Sequence, residues 1–72
     1  MDLKEFHEFF GEAEAERVAK DAGTNLAYYK QIMYLARQAS PKLALRLERA
    51  SNGRITRQSL RPDIFGIGAE AA

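Results

Sequence analysis

Residues that start or stop helices punctuate this chain at short intervals, and they limit what it can fold into. Gly11, Gly23, the pair Ser40-Pro41 and the pair Asn52-Gly53 cut most of it into short segments. Glycine and proline are the strongest local breaks in a periodic pattern. Each segment between them carries apolar residues at the spacing of one helix face. Leu3, Phe6, Phe9 and Phe10 form the first stripe. Ala15, Val18, Ala19 and Ala22 form the second, and their small side chains let two helices approach closely. Tyr29, Ile32, Met33 and Leu35 or Ala36 form the third, and Leu43, Ala44, Leu47 and Ala50 the fourth.

The ends of these segments carry matching signals. Asp2 is an N-cap for the first helix. The second runs from about Glu12 or Ala13 to Ala22, with acids early and Arg17 and Lys20 later, as the helix dipole favours. Gly23 stands where a left-handed C-terminal cap is needed. Thr24 and Asn25 cap a third helix reading Leu26 to Ala36, with Arg37-Gln38-Ala39 as its exit. Ser40-Pro41 opens the fourth, a serine cap followed by proline at the first helical position. Asn52-Gly53 ends it. Thr56 caps a short turn through Leu60, and Arg61-Pro62 disfavours further helix. With 72 residues the chain forms one domain with a small core. The expected architecture is all-α: a four- to five-helix bundle over residues 1–65, with a short extended or helical C-terminal end and a flexible tail over residues 66–72.

Cysteine is absent, which excludes disulfides, cysteine-based zinc sites and thiol catalysis and fits a reducing cytoplasm. The opening Met1-Asp2-Leu3-Lys4-Glu5 shows no basic region leading into an apolar run, so no signal peptide is expected. No apolar stretch approaches the ~20 residues that span a bilayer. His7 is the only histidine and lies among charges, a surface residue rather than a ligand. Ser40 and Thr56 read as caps, and Asp63 as a cap or a partner of Arg61. Catalysis needs a base, a nucleophile and an orienting group in one place. Nothing here supplies them, so neither an enzyme nor a metal or cofactor is expected. The charge is uneven: residues 1–16 hold six acids and one lysine, and the rest is basic. A basic body with an acidic leading edge suits a nucleic-acid binder, or equally a mixed solvated surface.

Two short helices joined by a glycine turn, with a third packed across them, make a helix-turn-helix. Its structural positions here are Ala19, small where the third helix crosses, Gly23 at the turn, and Tyr29 and Ile32 beneath the recognition helix. Asn25, Leu26, Ala27, Lys30 and Gln31 then face outward toward a DNA major groove. Gln31 can bond adenine N6 and N7, and Leu26 or Ala27 can touch a thymine methyl. Lys30 can bond guanine or a phosphate; otherwise Lys30 and Gln31 are solvated helix residues. Tyr34, Arg37, Lys42 and Arg46 are candidate phosphate contacts, or surface groups without that role. Tyr28 reads as a packing residue.

The run Ala19 to Asn25 followed by Tyr28-Tyr29-Lys30-Gln31-Ile32 resembles the helix-turn-helix of phage Cro/CI-like repressors. Ser40-Pro41-Lys42-Leu43-Ala44, Asn52-Gly53-Arg54-Ile55-Thr56-Arg57 and above all Leu60-Arg61-Pro62-Asp63 resemble the YdaS-like branch of that group. The resemblance implies a prophage-type DNA-binding regulator or an antitoxin, with recognition residues at Asn25, Leu26, Ala27, Lys30 and Gln31. Many members carry a glycine after the recognition helix where this chain has Tyr34-Leu35-Ala36-Arg37, so a longer helix is expected here. A bundle this small has few places to bury Ile55, Leu60, Ile64 and Phe65, which are therefore expected to pair two copies into a dimer on a double-stranded DNA operator. The alternative is an antitoxin or inhibitor that sequesters a partner protein, its acidic first helix the docking face.

Overall fold

The computed structural model describes residues 1–35 and 37–65. Among these residues six helices follow one another: α1 Leu3–Phe10, α2 Glu12–Asp21, α3 Leu26–Tyr34, α4 Pro41–Ala50, α5 Arg57–Leu60 and α6 Pro62–Phe65. No strand occurs among the described residues. The expected C-terminal tail, residues 66–72, lies outside them.

Local chemistry sets the helix starts. Asp2 and Glu5 form a reciprocal capping box: the Glu5 amide donates to Asp2 Oδ1 at 2.8 Å and the Asp2 amide to Glu5 Oε1 at 3.2 Å. Ser40 Oγ accepts from the Leu43 amide at 3.1 Å, with Pro41 at the first position of α4. Thr56 Oγ1 accepts from the Ser59 amide at 3.2 Å and opens α5. Arg61 keeps out of the helical region, as a residue before proline should. Pro62 nevertheless starts another turn, because a proline at a first helical position forfeits no bond. The Arg61-Pro62 pair separates two helical turns rather than ending helix formation.

The core is built on the small-residue face of α2. Ala15, Val18, Ala19 and Ala22 are buried there with Leu3 and Phe6 of α1, Tyr29 of α3, Leu47 of α4 and Ile55. Leu43, Ala50, Ile32, Met33, Leu26, Phe10 and Leu60 pack around them. Phe9, expected in the first stripe, faces water instead at 73% exposure, and Leu35, one of the two alternatives at the end of the third, is 63% exposed. Phe9 keeps an edge contact with the Phe10 ring at 4.9 Å.

Ile55 corrects the expectation of a dimer residue. Its side chain is fully buried within one chain. Ser51 is the cause: its hydroxyl accepts from the Ile55 amide at 2.9 Å and donates to the Glu48 carbonyl at 3.1 Å, which folds the loop after α4 back onto the core. The segment after α5 is tied down as well. Arg61 donates to the Ala39 carbonyl at 3.0 Å and grips Asp63 through two nitrogens at 3.0 and 2.8 Å.

Candidate nucleic-acid interface

The pair α2–α3 is joined by a turn held by backbone hydrogen bonds. Ala22 closes α2, and Gly23 follows at φ +83°. The Thr24 amide donates to the Ala19 carbonyl at 2.9 Å and the Gly23 amide to the Lys20 carbonyl at 3.0 Å. These two bonds make a Schellman cap, which needs a left-handed residue at the position of Gly23. Space is not the constraint there: a Cβ would find only the Arg46 guanidinium, at 3.7 Å. Asn25 then starts α3, its Oδ1 accepting from the Tyr28 amide at 2.8 Å.

Once started, α3 is anchored from below. Ala19 is fully buried where the helices meet, and Ile32 is half-buried against the core. Tyr29 is buried to 1% exposure, and its hydroxyl donates to the Leu3 carbonyl at 2.7 Å, fastening α3 to the start of α1. Burial, reinforced by the charge of Asp2, pushes the Tyr29 phenol well above the usual tyrosine range. Tyr28 is half-buried. The helix stops at Tyr34, short of the expected Ala36, with Leu35 as its C-cap. The chain must turn inward there, because Ala39 is fully buried just before α4 begins.

On the outer side of α3 the five candidate base-reading residues divide. Asn25, Ala27 and Gln31 are exposed. Leu26 is half-buried, packed against the core. Lys30 makes an ion pair with Glu12 in the first turn of α2. The Lys30 ammonium holds the Glu12 carboxyl below the usual range, and Glu12 in turn raises Lys30. Both side chains remain about half exposed, so screening keeps the pair weak as a source of stability.

The candidate phosphate contacts surround this helix. Tyr34 is 66% exposed at its end, and Arg37, Lys42 and Arg46 are exposed. Among the described residues these three cations make no ion pair, whereas Arg17, Lys20, Arg57 and Arg61 each hold a carboxylate. Arg46 lies beside Gly23, near the start of α3. Arg37 lines a shallow groove with Lys4, Ile32 and Met33, at the other end of α3.

Of the remaining dimer candidates, Leu60 packs on the core, Phe65 is half-buried under the Arg57 guanidinium, and Ile64 is 42% exposed. Two features escaped sequence reasoning: the Glu12–Lys30 pair and the Tyr29–Leu3 bond. Both join residues far apart in the chain, so no periodicity marks them. No group of three or more metal-ligating residues occurs among the described residues, and no helix there is long and apolar enough to cross a membrane.

The family described as Bacterial toxin YdaS matches residues 11–68, a span that takes in the whole of α2 to α6. Neither the curated proteins nor the solved structures yield a match.

Proposed function

The chain belongs to the family described as Bacterial toxin YdaS, and from that premise we propose that it is a sequence-specific regulator that binds a double-stranded DNA operator as a dimer. The observation that carries this reading is the α2–turn–α3 unit. A core-anchored helix presents Asn25, Ala27 and Gln31 to solvent, with Arg46 near one end and Arg37 at the other, neither holding a carboxylate among the described residues. A helix of this kind enters a major groove with its early residues against base edges. Gln31 bonds adenine N6 and N7, and Ala27 meets a thymine methyl. Arg37, Lys42, Arg46 and the Tyr34 hydroxyl hold the phosphates and fix the register. A second copy, paired through Ile64 and the edge of Phe65, sets its own α3 about 34 Å away on the next half-site. Occupancy of the operator then blocks a promoter. No cofactor or catalytic step enters this scheme, and its setting is the cytoplasm.

Gln31→Ala tests the assignment. Selectivity between operator and scrambled duplex should fall about 5- to 150-fold, from the ~1–3 kcal/mol of one bidentate base contact. The salt dependence should stay as it was, since no phosphate contact is lost. Unchanged selectivity would take the readout away from α3.

One observation favours a second reading, an antitoxin or inhibitor that sequesters a partner protein. Phe9 is 73% exposed on α1 and lines a shallow surface groove with Met1, Glu5 and Glu8. An aromatic ring framed by acids suits a basic partner protein. Phe9→Ser should abolish capture of that partner and leave DNA binding intact.

A further inference from the structure

We propose that Glu12 is a specificity-determining residue: by holding Lys30 across the two helices of the DNA-binding unit, it withholds that cation from phosphates at random and releases it only to an acceptor placed by the operator. This rests on the DNA-binding reading above. Lys30 is the only cation on the candidate recognition helix, and its ammonium lies on a carboxylate from the neighbouring α2. The other exposed cations around α3 — Arg37, Lys42 and Arg46 — hold no carboxylate among the described residues. The cation best placed to enter the groove is therefore the one already paired.

That pairing has two consequences on any duplex. Lys30 cannot neutralise a phosphate while it holds Glu12, and Glu12 brings a negative charge toward a negatively charged backbone. Both weaken binding that depends only on counterion release, which is the whole of non-specific affinity. On the operator, a guanine edge or one fixed phosphate offers Lys30 a better-aligned acceptor. The exposed Glu12 side chain can then swing away into solvent. The pair thus lowers affinity for the wrong sequence more than for the right one, which is how specificity is set by a penalty rather than by an added contact.

The test uses the full chain in fluorescence anisotropy, on the DNA flanking its own gene and on a scrambled duplex of equal length, from 50 to 200 mM salt. Circular dichroism first verifies that each variant is folded. Glu12→Gln should bind the scrambled duplex several-fold more tightly than the unsubstituted protein and should narrow the ratio between the two duplexes. With Lys30 released to one more phosphate, affinity for the scrambled duplex should fall about 3.5-fold further across that salt range. In the background with Glu12 intact, Lys30→Gln should leave the salt slope on scrambled duplex unchanged and should lower that affinity, because it bares the Glu12 carboxylate; in Glu12→Gln it should remove the added steepness. If Glu12→Gln leaves scrambled-duplex affinity and slope as they were while the unsubstituted protein still selects its operator, this inference fails and the DNA-binding reading stands. If the unsubstituted protein binds neither duplex, that reading fails and takes the inference with it.

Discussion

Tyr29→Phe isolates the bond on which the placement of α3 depends. The ring is 1% exposed, and its hydroxyl donates at 2.7 Å to the Leu3 carbonyl of α1. Phenylalanine keeps the ring packing and deletes one oxygen. A buried neutral hydrogen bond contributes about 0.5–1.5 kcal/mol net, and leaving its partner short of a donor adds to the loss, so the cost is about 1–2 kcal/mol. In a domain of this size each kcal/mol lowers the melting temperature by roughly 4–8 °C. Melting followed by far-UV circular dichroism should therefore shift down by about 4–16 °C. Since the phenol is pushed upward in the folded chain, the folded state holds its proton more tightly than the unfolded state. The stability this gives is fully present below the unfolded value of about 10 and is lost as pH climbs past it. The stability gap between the two proteins should thus narrow above pH ~10. A Tyr29→Phe protein that melts within a degree of the original, with the same alkaline profile, would refute the claim that this bond fastens α3.

Gly23→Ala should cost about 1–2 kcal/mol in urea unfolding, because only φ is at fault there and alanine resists the left-handed region. Gly23→Asn should recover much of that loss, since asparagine visits this region routinely. Ile55→Ala should destabilise the single chain by about 2–5 kcal/mol as a core truncation. Ile64→Asp should leave melting nearly unchanged and should turn a dimer into a monomer in sedimentation.

How much of this was legible in the sequence depends on how far each feature reaches along the chain. Helix starts at Asp2, Asn25, Ser40 and Thr56 are bonds within three residues, so their chemistry is written locally. The small-residue face of α2 and the turn at Gly23 are legible for the same reason, since spacing alone defines them. Burial beyond one helix was harder. The stripe that included Phe9 is too wide for the surface α1 covers, so Leu3 and Phe6 take the core and Phe9 does not. Ile55 looked spare because a bundle this small has few places to bury it, and only the Ser51 hydroxyl shows why it turns inward. On the candidate interface, exposure at Ala27 and Gln31 follows from helix geometry. The packing of Leu26 and the capture of Lys30 by Glu12 depend on how α2 lies against α3, which no local pattern encodes.

The most direct test of the central claim is anisotropy of the unsubstituted protein on DNA flanking its own gene, set against scrambled duplex across a salt series. Tight binding to one segment, much weaker binding to scrambled DNA and steep loss of both with salt are expected, because Arg37, Lys42 and Arg46 release counterions from phosphates. Equal, weak binding to both duplexes, or none at low salt, would contradict it.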